Sequence, residues 1–529
     1  MVDDALAVAR NGGFGKLVTS SDTRLVPPGA ELRDVIAIYA SGIAFIATGH
    51  ATRSPVRSHL KLASQFGVNV LKCYDVPLSA IGALYSHFAN GGLGHSVVTQ
   101  TVKQSDIINV IRDVAARGAS DLHVDVWQDR TTFSIKLHGE LMVIGEQPRT
   151  YGIEWLGASH SFADQGSGDS QFHNQYSHSA RISNFNASGL TLPPKVEALR
   201  CQYNPTINGG YNAVFRLIYT VDTAIAPEAA IKRLGYAGHH IEAFQRSTSS
   251  ANGIDIKCGV VNSGKSTSMV AQIRLYQSMH DNKKRVITVE DPPEATIPNA
   301  VQFPIANAST PAERQRKYIA ALSAMLRSDG NLLVIGEVRD AIAAELAVDA
   351  ARTGHLCMAT LHADSAFGAL HRLEVMGLRR SVLADANLFR TLWAQVLVPV
   401  LCLRCAQPWT KAESKTDLDM RLRKIDTDHD LLRVRGPGCD NCQGNGLKGR
   451  TLACEVVETS DDMMDVYRER PHDVQTWWLN EAQGRTRLDH AISKMLLGSI
   501  DPYHVETVVG RIDVASFQPV AAPFAERAP

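Results

Sequence analysis

Apolar and polar residues alternate along one short stretch near the middle of the chain, and a helical pattern follows it directly. In "GIDIKC", residues 253–258, the apolar residues Ile254, Ile256 and Cys258 are spaced as in a β-strand. In "STSMVAQIRLYQSMH", residues 266–280, the apolar residues recur with the spacing of an α-helix. The pattern predicts a strand and a helix joined by a tight, glycine-containing turn.

This turn has the spacing of a phosphate-binding loop. Gly259 is followed by four residues and then by Gly264, Lys265 and Ser266. Backbone N–H groups of such a turn surround phosphates, and the start of the helix adds positive potential. We therefore expect Lys265 to reach the β- and γ-phosphates of ATP and Ser266 to bind Mg²⁺. A chance Gly-Lys-Ser turn is the alternative, and the flanking strand and helix argue against it. The predicted nucleotide-binding residues are Gly259, Asn262, Ser263, Gly264, Lys265, Ser266 and Thr267.

Three further apolar runs end in polar residues. "RVITVEDPPE" contains Glu290 and Asp291, "NLLVIGEVRD" contains Glu337, and "HLCMATLHADSA" contains His362. Ligands of parallel α/β sheets bind outside the carboxyl ends of the strands, so these side chains should converge on the phosphates. Any single carboxylate here could instead be a helix cap or a solvated loop residue. Several at matching positions favour a site.

The expected chemistry is hydrolysis of the γ-phosphate. This reaction needs Mg²⁺, a cation, and a group that activates or orients the attacking water. Glu337 is the candidate for the water-activating carboxylate. Glu290 and Asp291 are candidates for the Mg²⁺ shell or for holding a second-shell water. His362 and His355 are candidates for sensing the γ-phosphate.

Four of the nine cysteines form two CxxC pairs. Without a secretion signal, such pairs are more typical of metal ligands than of disulfides. The turn-rich stretch "GPGCDNCQGNG" suits a knuckle that presents thiolates to Zn²⁺. Four buried cysteines without a metal are the alternative. The predicted zinc ligands are Cys402, Cys405, Cys439 and Cys442.

Charge and hydropathy bear on partners and location. Lys plus Arg (54) equals Asp plus Glu (54), whereas a nucleic-acid motor would more often be basic. The first residues lack the basic and apolar regions of a signal peptide, and the most apolar stretches are too short to span a bilayer. We expect a cytoplasmic protein, with nucleic acid an improbable partner, that contacts the inner membrane peripherally through another protein.

The order of these motifs resembles the secretion ATPases of type II secretion systems, type IV pili and type IV secretion systems. In that family "TVEDPPE" corresponds to the Asp box and "ARTGHLCMATLHADSA" to the His box. "LVIGEVRD" corresponds to a Walker B motif with Gly336 before the catalytic Glu337. The resemblance implies an α/β fold: a RecA-like P-loop NTPase core, a smaller α+β, PAS-like N-terminal domain, and a zinc-binding subdomain.

The resemblance extends upstream of the P-loop. "GASDLH" resembles the opening of the family's N-terminal domain, and Arg200 and Arg216 match arginines that face a neighbouring subunit's nucleotide in a homo-hexamer. Each arginine could instead pair with a carboxylate of its own domain. Lys136 and His138 depart from the Arg and Asp that are common in relatives.

The tetracysteine pattern resembles the assembly branch of the family. That branch implies a hexameric ATPase that acts on an inner-membrane platform protein and, through it, on prepilin subunits. The filament could be a type IV pilus, a thin conjugative pilus or a type II secretion pseudopilus. A DNA translocase or a conjugative type IV secretion motor with the same core is the alternative.

We predict four regions along the chain. They are an adaptor domain (1–100), the PAS-like domain (101–225), the RecA-like domain (226–460) with its zinc element (402–442), and a C-terminal helical region with a flexible tail (461–529). The Ser-, Asn- and His-rich stretch 158–190, which includes His160, His173 and His178, is expected to form solvated loops.

Overall fold

The computed structural model describes most of the chain in two compact units. The described residues are 14, 17–21, 35–77, 80, 81, 84, 96–164, 172, 175–184, 191–305, 310–409, 417–425, 431–512, 517, 518 and 520. The units comprise residues 1–107 and 108–529. His173 and nearly all of the predicted tail lie outside the described residues. The predicted domain limits at residues 100, 225 and 460 stay predictions.

The first unit contains a small three-stranded sheet. Its elements are α1 (Val18–Ser21), β1 (Ile36–Ile38), β2 (Ile43–Ala47), α2 (Ser54–Gln65) and β3 (Lys72–Val76). β1 pairs with β2 antiparallel, and β3 pairs with β2 in parallel after the α2 crossover. Tyr39 and Phe45 are fully buried in its core. Helix α3 (Ser96–Ala116) leads into the second unit.

The second unit begins with a six-stranded antiparallel sheet in the order β6-β5-β4-β9-β8-β7. Its elements are β4 (Asp121–Val126), β5 (Arg130–Leu137), β6 (Glu140–Pro148), α4 (Arg149–His160), β7 (His178–Ser183), β8 (Val196–Pro205) and β9 (Tyr211–Tyr219). Trp155 of α4 packs edge-on against Phe133 and Phe215 of the sheet. These aromatic contacts fix the helix on one face.

The expectation of solvated loops over residues 158–190 was wrong at residues 158–160 and 178–183, which belong to a helix and a strand, whereas residues 161–164 and 175–177 form irregular structure as expected. His160 ends α4, His178 begins β7, and their exposed fractions are 5% and 4%. The His178 ring stacks on Tyr203 with centroids 4.9 Å apart. The polar composition hid these positions, because a histidine ring packs as an aromatic surface when its neighbours are aromatic.

A seven-stranded sheet follows, in the order β12-β11-β13-β14-β10-β15-β18. Its strands are β10 (Gly253–Cys258), β11 (Val286–Glu290), β12 (Ala300–Pro304), β13 (Leu332–Ile335), β14 (Leu356–Leu361), β15 (Phe389–Leu401) and β18 (Leu447–Glu458). The first six strands in this order are parallel, and β18 is antiparallel to β15.

Helices cover both faces of this sheet. They are α5 (Pro227–Leu234), α6 (Gly238–Ser249), α7 (Lys265–Met279), α8 (Pro311–Met325), α9 (Ala341–Arg352), α10 (Ala366–Val375) and α11 (Arg380–Leu383). Helices α8 to α10 contribute to one core, which contains Ile254 and Ile256 of β10. Helices α5 to α7 pack on the other face, where Trp393 of β15 is buried. The predicted α/β fold with a parallel sheet is therefore confirmed.

The central strand β10 carries a buried ion pair. The Asp255 carboxylate accepts a hydrogen bond of 2.9 Å from Lys257 Nζ, and both side chains are 1% exposed. Asp255 also accepts hydrogen bonds from Ser247, Gln272 and Trp393 Nε1. The strand is thus buried on both faces.

The remaining elements form a cysteine-containing lobe and a helical end. They are β16 (Gln407–Pro408), α12 (Asp417–Leu422), β17 (Arg433–Val434), α13 (Asp461–Glu469), α14 (Val474–Asn480), α15 (Arg487–Leu496) and α16 (Pro502–His504). Helix α15 packs on β18, and Ala491, Ile492 and Met495 are buried there. Within the described ranges, every helix is too short or too polar to cross a bilayer.

Two buried histidines lie between α6 and α15. His240 Nδ1 accepts a hydrogen bond of 3.1 Å from the Ala237 N–H, and His490 Nδ1 accepts one of 3.1 Å from the Cys454 N–H. Burial, together with the neighbouring Lys494 charge, lowers the pKa of both rings well below the ordinary value. Both rings are therefore neutral in the folded protein at neutral pH.

This pair should make the fold sensitive to acid. Below pH about 6.5 the unfolded chain takes up protons before these rings do, so the free energy of unfolding falls by up to about 1.4 kcal/mol per pH unit for each histidine. We expect the urea midpoint to drop between pH 7.5 and pH 5.5. The drop should be smaller in the double variant His240→Asn, His490→Asn, whose amide oxygens can replace Nδ1 as acceptors. His472→Asn, at an exposed position, is the control; equal drops in all three proteins would contradict the assignment.

Candidate nucleotide site

A cleft of about 690 Å³ separates the six-stranded sheet from the carboxyl ends of the parallel strands. Both β11 and β13 open into it, and so does the loop between β10 and α7. Among its lining residues are Lys265, Ser266, Glu290, Asp291, Glu337 and His362. The structure thus brings most of the predicted site residues together in one place.

The loop between β10 and α7 has the backbone that a phosphate-binding turn needs. Gly264, which precedes α7, has φ +84°, in the left-handed region that favours glycine. The ammonium of Lys265 donates to the carbonyl oxygens of Gly259 and Val260 at 2.8 and 3.0 Å, so it lies over the loop. Burial lowers the pKa of Lys265, and the Glu337 carboxylate partly offsets this. The amino group is thus held inside the cleft.

The loop also presents polar groups suited to a phosphate. The Ser263 hydroxyl is buried and has no hydrogen-bond partner among the described residues. Ser266 and Thr267 lie in the first turn of α7, and their hydroxyl-bearing side chains line the cleft. A buried donor without a partner costs free energy unless a ligand satisfies it. These residues fit a bound nucleotide, and the Ser266 oxygen suits Mg²⁺.

Glu337 is held by two neighbours at the end of β13. Its carboxylate accepts from Arg339 Nε at 2.7 Å, and it lies 3.0 Å from His362 Nε2. Gly336 allows the strand to come this close to β11, because a Cβ there would lie 3.0 Å from the Val289 oxygen and 3.1 Å from Cγ of Glu290. A larger residue would require Val289 or Glu290 of the neighbouring strand to shift.

Glu290 and Asp291 have different surroundings. Glu290 accepts from the Thr288 hydroxyl at 2.7 Å and from Gln302 Nε2 at 2.9 Å, and burial raises its pKa. Asp291 is 3% exposed and forms ion pairs with Arg314 at 2.6 Å and Arg339 at 2.7 Å. Asp291 therefore holds two arginines at the cleft, and its role near Mg²⁺ stays a prediction.

His355 lies away from the cleft. It directly precedes β14, and its carbonyl oxygen accepts from the N–H of Gly253 at the start of β10. Its Nδ1 lies 3.1 Å from the Ala350 oxygen and 3.0 Å from the Thr353 hydroxyl. Strand β14, six residues at about 3.3 Å each, separates it from His362. The predicted sensing role of His355 thus has no geometric support, because the parallel strand carries it to the opposite edge.

The six-stranded sheet faces the P-loop with a row of charged residues. Lys136, Asp121, Arg216 and Arg200 are paired directly across β5, β4, β9 and β8. We call the three cations of this row, Lys136, Arg216 and Arg200, the cation row. Arg216 pairs with Asp121 at 2.9 Å, which is the intradomain pairing considered as the alternative. Burial and, next, the Arg216 charge lower the pKa of Arg200. The row lines the cleft of its own chain.

The four predicted cysteines form a cluster in the lobe between β15 and β18. Their sulfur atoms all lie within 4.8 Å of one another. The Cys402–Cys439, Cys405–Cys442 and Cys439–Cys442 sulfur distances are 3.7, 3.8 and 3.7 Å. Thiolates placed tetrahedrally at about 2.3 Å from Zn²⁺ are about 3.8 Å apart, so the geometry fits zinc.

Residues 98–507 match the family described as "Type II/IV secretion system protein". The chain belongs to this family. The match covers the six-stranded sheet, the parallel sheet and the cysteine cluster. The family predicted from the motifs is thereby confirmed, and with it the assignment to the ATPase class of enzymes.

Sequence relatives of this chain match it at similar identity but over different fractions of their own length. The type II secretion system protein E of Pseudomonas aeruginosa is 27% identical over 393 residues, which are 74% of this chain and 72% of the relative. The type IV pilus assembly ATPase PilB of Thermus thermophilus is 28% identical over 69% of this chain, which spans only 38% of that relative. The X-ray structure of the Legionella pneumophila ATPase DotB aligns with a TM-score of 0.52 at 18% identity, covering 77% of this chain and 94% of that one. At that identity the likeness shows the fold alone.

Sequence reasoning missed several residues that build the site of this secretion-system protein. Gln395 Nε2 donates to the Ser263 carbonyl oxygen at 2.8 Å, and Gln395 Oε1 accepts from the Tyr236 hydroxyl at 2.9 Å, which fixes the P-loop to β15. Tyr318 donates to the Glu337 carbonyl oxygen at 2.5 Å. A polar Gln395 inside the apolar run "LWAQVLVPVL" was the available signal.

Proposed function

We propose that this chain is a hexameric ATPase that powers assembly of a type IV pilus, a thin conjugative pilus or a type II secretion pseudopilus. It acts at the cytoplasmic face of the inner membrane, on a platform protein that handles prepilin subunits. The observation that carries the proposal is the convergence of Lys265, Glu337 and the cation row on one cleft. The names of the relatives support the choice of machinery.

ATP binding is the task of the P-loop. Its backbone N–H groups and the start of α7 surround the phosphates, and Lys265 moves from its loop carbonyls to the β- and γ-oxygens. The Ser266 hydroxyl and the Glu290 carboxylate would hold Mg²⁺, which neutralises phosphate charge when bound. Arg200 and Arg216 add positive charge from the opposite wall of the cleft.

Hydrolysis depends on Glu337. Its carboxylate orients the attacking water and accepts the proton of that water as the γ-phosphate leaves. Arg339 holds one carboxylate oxygen, and His362, 3.0 Å from the other, registers whether the γ-phosphate is present. Loss of that phosphate weakens the attraction between the cation row and the P-loop, so that hydrolysis is coupled to movement of the sheet.

The cysteine cluster supports the assembly branch. Cys402, Cys405, Cys439 and Cys442 would hold Zn²⁺, which supplies folding energy to a lobe of short elements. A DNA translocase or a conjugative type IV secretion motor with the same core is the alternative that the sequence left open.

The purified full chain should hydrolyse ATP with Mg²⁺ in the absence of DNA, and should have the mass of a hexamer in solution. Lys265→Ala should lose nucleotide binding and turnover, because its ammonium contacts the phosphates. Lys283→Ala, just after α7 and 79% exposed, is the matched control. Turnover that appears only with DNA and falls steeply with salt would favour a DNA translocase instead. No turnover with or without DNA would overturn the proposal.

A further inference from the structure

The turn between β5 and β6 lies against the cysteine-containing lobe. His138 and Gly139 both have positive φ, 55° and 99°, as in a two-residue hairpin turn. His138 Nδ1 accepts a hydrogen bond of 3.0 Å from the N–H of Gly449 in β18. The first residue of β6, Glu140, accepts from Arg435 Nη1 at 2.6 Å and Nη2 at 2.8 Å. The tip of the hairpin is therefore held by a bidentate pair.

Arg435 is positioned by the cysteine knuckle. Its Nε donates to the Asn445 carbonyl oxygen at 2.8 Å, and its Nη2 donates to Asn445 Oδ1 at 3.0 Å. The Asn445 N–H in turn donates to the Cys442 carbonyl oxygen at 3.1 Å, and the Gly446 N–H donates to Cys442 Sγ at 3.1 Å. The guanidinium that meets Glu140 is thus oriented by the same turn that presents Cys442.

The hairpin also carries one end of the cation row. Lys136 precedes the turn by two residues and is paired with Asp121, which is paired with Arg216. A shift of the hairpin tip would move Lys136 relative to the P-loop. At the other side of the sheet, Glu197 of β8 accepts from the Thr296 N–H at 3.0 Å. The sheet is therefore held over the cleft at two separate places.

We infer that the cysteine lobe is a latch: through Arg435 it holds Glu140, and thereby the cation row, over the nucleotide of the same chain. Glu140 and Arg435 are positioning residues, since neither lines the cleft. Because the Arg435–Glu140 pair is bidentate, it fixes the orientation of the two side chains and is stronger than a single hydrogen bond. The inference rests on the proposed function only for its effect on ATP, and not for its effect on the hairpin.

Glu140→Ala removes the pair and leaves the Arg435–Asn445 contacts in place. We expect faster amide hydrogen exchange across residues 130–148, with exchange in β8 unchanged, and a KM for ATP raised about two- to five-fold, as for a partly exposed ion pair. Glu140→Lys places a second cation opposite Arg435. It should therefore increase both the hairpin hydrogen exchange and the KM for ATP more than Glu140→Ala does. Glu146→Ala is the control, because Glu146 lies on the same strand but pairs with Arg130 at 3.3 Å. Unchanged hairpin exchange in Glu140→Ala, or equal changes in Glu146→Ala, would overturn the latch.

Metal removal tests the other half of the inference. Treatment of the wild-type protein with a zinc chelator should speed exchange in the 130–148 hairpin as Glu140→Ala does, and should add nothing to that variant. Full protection of the hairpin after zinc is lost would show that the knuckle does not set the latch. Because exchange is read without ATP, a protein that proved inactive would leave this test intact.

Discussion

Turnover of ATP should fall by about 10²–10⁴-fold when Glu337 is replaced by glutamine, while ATP binding is retained. Glutamine has nearly the same shape and can still accept from Arg339, but it cannot take a proton from water. The measurement is steady-state hydrolysis alongside binding of a fluorescent ATP analogue. The loss should therefore be in kcat, with little change in affinity.

Glu345→Gln is the matched control for this substitution. Glu345 lies on α9, is exposed, and is outside the cleft lining, so its amide should leave turnover unchanged. Wild-type turnover in Glu337→Gln would show that another group activates the water. A large loss of nucleotide affinity instead would assign Glu337 to binding.

Zinc removal should have the largest effect on stability. We expect about one zinc per purified chain, and Cys439→Ser should lose it, because structural zinc sites contribute on the order of 10 kcal/mol of folding free energy. Elemental analysis measures the metal, and limited proteolysis should find new cleavage between residues 400 and 450. Cys73→Ser, at an exposed cysteine of the first unit, should change neither. Protein purified without chelator that contains no zinc would refute the site.

The local parts of the site could be predicted from the sequence. The P-loop, the cysteine pairs and the polar residues that end β11, β13 and β14 are each set by a few neighbouring residues and by the rule that parallel strands end at one edge. The same rule shows why His355 lies away from the site: it directly precedes the strand that His362 follows, so the two residues lie at opposite ends of β14. A polar residue next to an apolar run therefore indicates a site residue only when it is known to lie at the carboxyl end of the strand.

The long-range partners could not be predicted. Arg435 and Glu140 are 295 positions apart, and nothing near either residue indicates the other. The Arg314 and Arg339 contacts with Asp291 depend on how α8 and β13 are placed, which is a property of the whole sheet. Ion pairs between distant elements depend on the topology of the fold, which local sequence patterns do not predict.

The buried Asp255–Lys257 pair determines how β10 aligns with its neighbours. If β10 slipped by one residue against β14 and β15, both charges would turn to the opposite face of the sheet. There they would still pair with each other but would lose Ser247, Gln272 and Trp393, so the Asp255 carboxylate would be buried among aliphatic side chains with most of its hydrogen-bond partners missing, which is costly. The slip would also carry the P-loop about 3.3 Å along the strand direction, away from Glu337. An all-apolar β10 could pair with its neighbours in the shifted register as well. We therefore expect the buried pair mainly to restrict β10 to one register.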